Sequence, residues 1–194
     1  MSMFLGPIHF WLYNKIDNQE KLTKRVADLA VNNGWLSDGD KYTYDLPELA
    51  DAIDASNIHG WLQAKIVDAE SRFAQMITDI LSADGTRIDS ICAAAVDFGK
   101  GAAIVMESSA MEAYKAFEDF FLNGMPCDRV NVLTDQTESS VSWEMAEDIH
   151  AASWPKGDTS VYYHLKKAVM DGMLSDTGLK ITMKDIFHYE ISKR

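Results

Sequence analysis

Five histidines, and one recurring His–Glu spacing, are the side chains of this chain best suited to chemistry. Ile8-His9-Phe10-Trp11-Leu12-Tyr13-Asn14-Lys15-Ile16-Asp17-Asn18-Gln19-Glu20 recurs fifty positions on as Ile58-His59-Gly60-Trp61-Leu62-Gln63-Ala64-Lys65-Ile66-Val67-Asp68-Ala69-Glu70, with seven identities. On a helix, Ile8, Leu12 and Ile16 form one stripe, and His9 and Glu20 share a face beside it. Eleven residues of helix hold those two about 16 Å apart, so they cannot meet within one copy. Antiparallel packing of the two copies would bring His9 to Glu70 and His59 to Glu20, as one or two His–Glu pairs or as a metal site with ligands from both helices. The same repeat also reads as a duplicated helix pair with Trp11 and Trp61 as packing anchors, each His bonded near a helix start and each Lys or Glu on a solvated edge.

His150, His164 and His188 form a second set. Three histidines with an open fourth position are a common way to hold catalytic zinc. With zinc or iron there, Glu144, Glu147 or Glu190 would serve as general base of a metal-dependent hydrolase. Strand alternation places His188 opposite Phe187 and Tyr189, so the site requires that face to be the one the helix bearing His164 covers. Three separately bonded structural histidines suit the same positions. Glu147-Asp148-Ile149-His150 has the Glu-x-x-His spacing of di-iron carboxylate bundles, but those use two copies on helices. Cys127 is a candidate nucleophile with a distant His. Cys92, among Ile91, Ala93, Ala94 and Ala95, reads as core. Gly99-Lys100-Gly101 lacks the phosphate-loop spacing.

These residues need positioning elements. Pro7 opens a helix that Gly34 stops. A loop spans Trp35 to Tyr44. Asp45 caps a short helix, and Ser56 or Asn57 opens the second repeat helix, which ends near Asp84-Gly85. A helical stretch from Ile88 to Leu122 is kinked or broken at Gly99–Gly101. Beyond Gly124-Met125-Pro126 the pattern alternates: Val130 and Val132, then Val141, Trp143 and Met145, form a hairpin. Glu144 to His150 alternatively starts a helix. Asp158 to Ser160 caps an amphipathic helix with Val161, Leu165, Ala168 and Val169 on one face. Leu179, Ile181 and Met183, then Phe187, Tyr189 and Ile191, form a second hairpin after Thr177-Gly178. The fold class is therefore α+β, with a helical domain over 1–123 and a small α+β domain over 124–194.

Net charge is −12, from 30 acidic and 18 basic residues. Such a surface repels nucleic acid, and its dispersed basic residues form no anionic-membrane patch. Two cysteines make no secreted disulfide framework, and neither a leader segment nor a membrane span is evident, so a cytoplasmic location is expected. Apolar residues make up 47% of the chain, enough for a packed core.

The order hairpin, amphipathic helix, Gly turn, hairpin, from Cys127 to Ile191 and ending Gly178-Leu-Lys-Ile-Thr to Phe187-His-Tyr-Glu-Ile, resembles the end of the L-2-amino-thiazoline-4-carboxylic acid hydrolase-like family and of related vinyl reductase-type small-molecule-binding domains. Those families tend to carry cysteines here. This chain has His150, His164 and His188 in the comparable segments and no cysteine after Cys127. The resemblance implies a ligand or metal between helix and sheet.

The expectation that follows is a small-molecule or metal-binding protein. Its pocket is lined by histidines and by Trp11, Trp61 and Trp143. A metal-dependent hydrolase, or a homodimer packed through the repeat helices, are the other readings.

Overall fold

A computed structural model describes residues 5–194; residues 1–4, part of the stretch read for a leader, lie outside it. The elements in chain order are α1 (Pro7–Asn32), α2 (Leu49–Ala52), α3 (Ile58–Ala83), α4 (Ile88–Lys100), α5 (Ala110–Phe120), β1 (Asn131–Gln136), β2 (Ser140–Met145), α6 (Ser160–Met173), β3 (Leu179–Met183) and β4 (His188–Lys193). The class is α+β, with helices concentrated in the first part and strands in the last.

Local chemistry sets the ends of the long helices. Pro7 begins α1, where a missing N–H costs nothing, and the Gly6 N–H donates to His9 Nδ1 at 2.9 Å. At the other end Gly34, with φ of 69°, takes the left-handed conformation that glycine allows. Its N–H donates to Val31 O while the Trp35 N–H donates to Ala30 O, so two terminal carbonyls are satisfied. The Asn57 side chain accepts from Gly60 N–H to open α3. Ser109 and Glu112 cap α5 reciprocally. The short α2 starts later than Asp45 suggests: its cap position is Glu48, with no side-chain cap bond. The stretch from Ile88 to Leu122 divides into α4 and α5, and α4 stops at Lys100, between the two glycines.

The sheet is antiparallel in the order β1-β2-β4-β3. Val141, Trp143 and Met145 of β2, Tyr189 and Ile191 of β4, and Leu179 and Ile181 of β3 are buried on one face. Trp143 and Tyr189 are cross-strand partners whose rings stack at 5.2 Å and 9°. Tyr114 of α5 lies 5.1 Å from Trp143.

Two cores result. The larger joins the second half of α1, α3, α4, α5, the sheet and α6. It draws on both sides of residue 123, so one core spans the boundary between 1–123 and 124–194. The smaller holds Leu12, Tyr13, Ile16, Leu49, Ile58, Leu62, Ile66, Ala69 and Leu122 at the beginning of α1 and α3. No helix among the described residues is long and apolar enough to cross a membrane.

Candidate functional site

The repeat does make a helix pair, but a parallel one. His9 and His59 lie together, with ring centroids 5.7 Å apart, and further along Glu20 of α1 meets Arg72 of α3. The expected antiparallel His9–Glu70 and His59–Glu20 pairs are therefore not formed. Leu12, Ile16 and Glu20 are buried as are Leu62, Ile66 and Glu70, and Trp11 and Trp61 are both half-buried, but other copies diverge: His9 and Lys15 are buried, while His59 is exposed and Lys65 half-buried.

Each buried glutamate finds another partner. Arg72 spans Glu20, Asp68 and the Tyr42 carbonyl. Burial pushes the Glu20 carboxyl above its ordinary range, against the lowering effect of Arg72. Glu70 takes a hydrogen bond with His150 Nδ1 at 2.9 Å, and Ser153 Oγ donates to its other oxygen at 3.4 Å. The His150 ring lies 3.9 Å from that of Tyr162. A carboxylate orients this imidazole, and His150 Nε2 is buried without a hydrogen-bond partner among the described residues.

The zinc or iron site on His150, His164 and His188 is not assembled. His164 lies exposed on α6 with Nδ1 on the Ser160 carbonyl. His188 lies on the open face of the sheet, bonded to Asp185 and 3.8 Å from Glu144, while α6 and the buried side chains occupy the opposite face. Among the described residues no three His, Cys, Asp or Glu side chains are grouped to hold a metal ion. Glu147 and His150 stand beyond the end of β2 in a turn rather than on a bundle helix. Trp143 is buried in the large core and lines no pocket described below. Trp11 and Trp61 flank the small core: Trp11 Nε1 donates to Asp119 Oδ1 at 2.8 Å, and Trp61 lies 6.0 Å from Tyr13.

Two neighbouring cavities share Met125 and Pro126 in their walls, one between α1 and α3 and one between α1, α5 and the loop after it. The first, of about 200 Å³, is lined by Ile8, His9, Leu12, His59, Leu62, Met125, Pro126 and Cys127. Its walls are mainly apolar, and the two imidazoles supply directional hydrogen bonding. His9 Nδ1 accepts from the Gly6 amide, so in the neutral ring the proton resides on Nε2. The second, of about 70 Å³, is polar and is lined in part by Trp11, Lys15, Glu118, Asn123, Arg129 and Asn131.

No family model, curated protein or solved structure matches the chain.

Two buried lysines adjoin this region. Lys15 lies with its nitrogen 3.8 Å over the Trp11 ring, and burial pulls its pKa from 10.5 to about 8 against the pull of Glu118 and Asp119. Lys166 donates to Asn123 Oδ1 at 2.7 Å, and burial likewise lowers it to about 8. The periodicity held a signal for both. Lys15 stands between Leu12 and Ile16 in the apolar stripe of α1, and Lys166 follows Leu165 on the packed part of α6. A charge at such a position is a buried charge whenever the stripe is covered.

Proposed function

We infer that the protein binds a small, largely apolar molecule carrying one hydrogen-bonding group, in the cavity between the first turns of α1 and α3 and the Met125–Cys127 segment. The single observation behind this reading is an apolar cavity of about 200 Å³ with His9 and His59 in its wall. An apolar hole of about 150 Å³ accepts benzene, so this one has room for a single ring with a polar substituent. Binding sites of this kind combine apolar walls with a few placed polar groups.

Calorimetric titration with phenol and toluene tests the reading. Both probes saturate one site in the native chain. Cys127→Phe alters an exposed wall residue and fills the space, so it abolishes binding of both without disturbing the core. His59→Ala weakens phenol about fivefold, the worth of one net hydrogen bond, and leaves toluene unchanged. Absence of saturable binding, or binding indifferent to Cys127→Phe, refutes it.

A further inference from the structure

We propose that Lys15 is a carbonyl-capturing amine whose polar cavity takes a small α-oxo acid, with Arg129 at the mouth holding the acid's carboxylate. This goes beyond the apolar site and stands independently of it. The cavity beside Lys15, about 70 Å³, is too small for an aromatic ring and suits a molecule of a few heavy atoms.

Three features point to this chemistry. Lys15 is 3% exposed, yet no carboxylate among the described residues lies within 4.0 Å of its nitrogen, which sits over the Trp11 ring instead. Buried cations are ordinarily paired, so this one is either costly or in use. Asn131 lines the same cavity: its Nδ2 donates to Glu118, while its buried Oδ1 has no partner among the described residues. A cation without a carboxylate and an acceptor without a donor, around one small space, are complementary to a small polar ligand. Arg129, exposed and held at φ of 48°, lines the cavity, and its guanidinium is the group best shaped to take a carboxylate.

The electrostatics agree with a nucleophilic role. Burial outweighs the charged groups around Lys15: Glu118 and Asp119 of α5, which favour the ammonium, and Lys166 of α6, whose like charge repels it, while Arg129 lines the same cavity. With a pKa of about 8 the amine is neutral at pH 7 roughly 300 times more often than an ordinary lysine. The neutral nitrogen adds to the carbonyl carbon, and a nitrogen proton passes to the oxygen to give a carbinolamine. Loss of that oxygen as water leaves a C=N bond to Lys15, with no oxidant or reductant required. Glu118, in the same cavity, is the group placed to carry the proton.

The experiment treats the folded native chain at pH 7 with glyoxylate and cyanoborohydride, whose hydride reduces the imine to a stable secondary amine, and follows each lysine by peptide mass spectrometry. Lys21 and Lys24, exposed on the same helix, are internal references. The expected result is labelling of Lys15 at least about tenfold faster than of either reference. Arg129→Ala slows glyoxylate capture several-fold and leaves capture of the uncharged probe acetaldehyde unchanged. Labelling of Lys15 no faster than of Lys21 and Lys24 overturns the reactive amine. An Arg129→Ala effect equal on both probes, or absent on both, overturns the oxo-acid assignment. Neither result bears on phenol binding next door, so the two sites fail separately.

Discussion

A single methyl group at Gly172 is expected to force α4 and α6 apart. A Cβ built there would stand 2.1 Å from the Val96 carbonyl oxygen and 2.9 Å from Gly99 Cα, where real contacts essentially never fall below 3.0 Å. The atoms opposite are backbone, which cannot rotate away, so the helices must separate by about 1 Å at the crossing. Ile91 and Ala95 of α4 and Val169 and Met173 of α6 are buried in the core these helices share. A buried side chain makes about 40–60 contacts of about 0.1–0.2 kcal/mol, and such a gap forfeits up to about half of those crossing it. For two such side chains the loss is about 2–4 kcal/mol. Alanine recovers about 1 kcal/mol over glycine in a helix, leaving a net destabilisation of about 1–3 kcal/mol. Urea denaturation measures it, with Gly178→Ala as control, since no atom lies within 4 Å of a Cβ there. The reciprocal Gly99→Ala, whose Cβ would lie 2.1 Å from the Val169 oxygen, should cost a similar amount. The double variant should cost less than the two together, because one separation relieves both clashes. A Gly172→Ala protein as stable as the native chain would refute the close crossing.

Two further outcomes are expected. Lys166 titrates near 8 when folded and near 10.5 when unfolded, so between those values the unfolded chain binds more protons and stability rises with pH, by up to about 3 kcal/mol from this residue. Lys166→Met should flatten the rise seen in chemical denaturation between pH 8 and 9.5, below the ordinary titration of tyrosine; an unchanged slope would count against a buried ammonium. Glu70→Ala removes the partner of His150 Nδ1 in a ring whose Nε2 already has none, and should cost about 1–3 kcal/mol by urea denaturation. A neutral Glu70→Ala would mean that this pair does not form.

The elements were legible because their signals are local. Gly34 and Asn57 mark helix ends by hydrogen bonds within a few residues, and alternation of Val141, Trp143 and Met145 reflects one covered face of the sheet. The same alternation placed His188 on the uncovered face. The relative direction of α1 and α3 was not legible. A repeat has no arrow: each 26-residue helix is about 39 Å long, and the connecting residues 33–57 are ample to carry the chain back to the starting end. That return decides which residues meet, and it is what brings His9 to His59 and leaves Glu70 to His150, a partner eighty residues away. Burial of Lys15 was obscured for a related reason, since its cover comes from α5 and the loop after it, far along the chain.

The position of β4 in the sheet has a kinetic consequence. It lies between β2 and β3, pairing Val141 with Ile191 across fifty residues, while β1–β2 and β3–β4 are local hairpins. A ribosome-bound chain can form the first hairpin early, but its Trp143 ring has no Tyr189 to stack on until residue 193 has emerged. During that interval the inner edge of β2 presents unpaired backbone and a row of Val141, Trp143 and Met145 to whatever is nearby. Slow synthesis over 146–193 would lengthen that exposure, and α5, which has emerged before β2 and whose Tyr114 packs against Trp143, is the segment available to shield it.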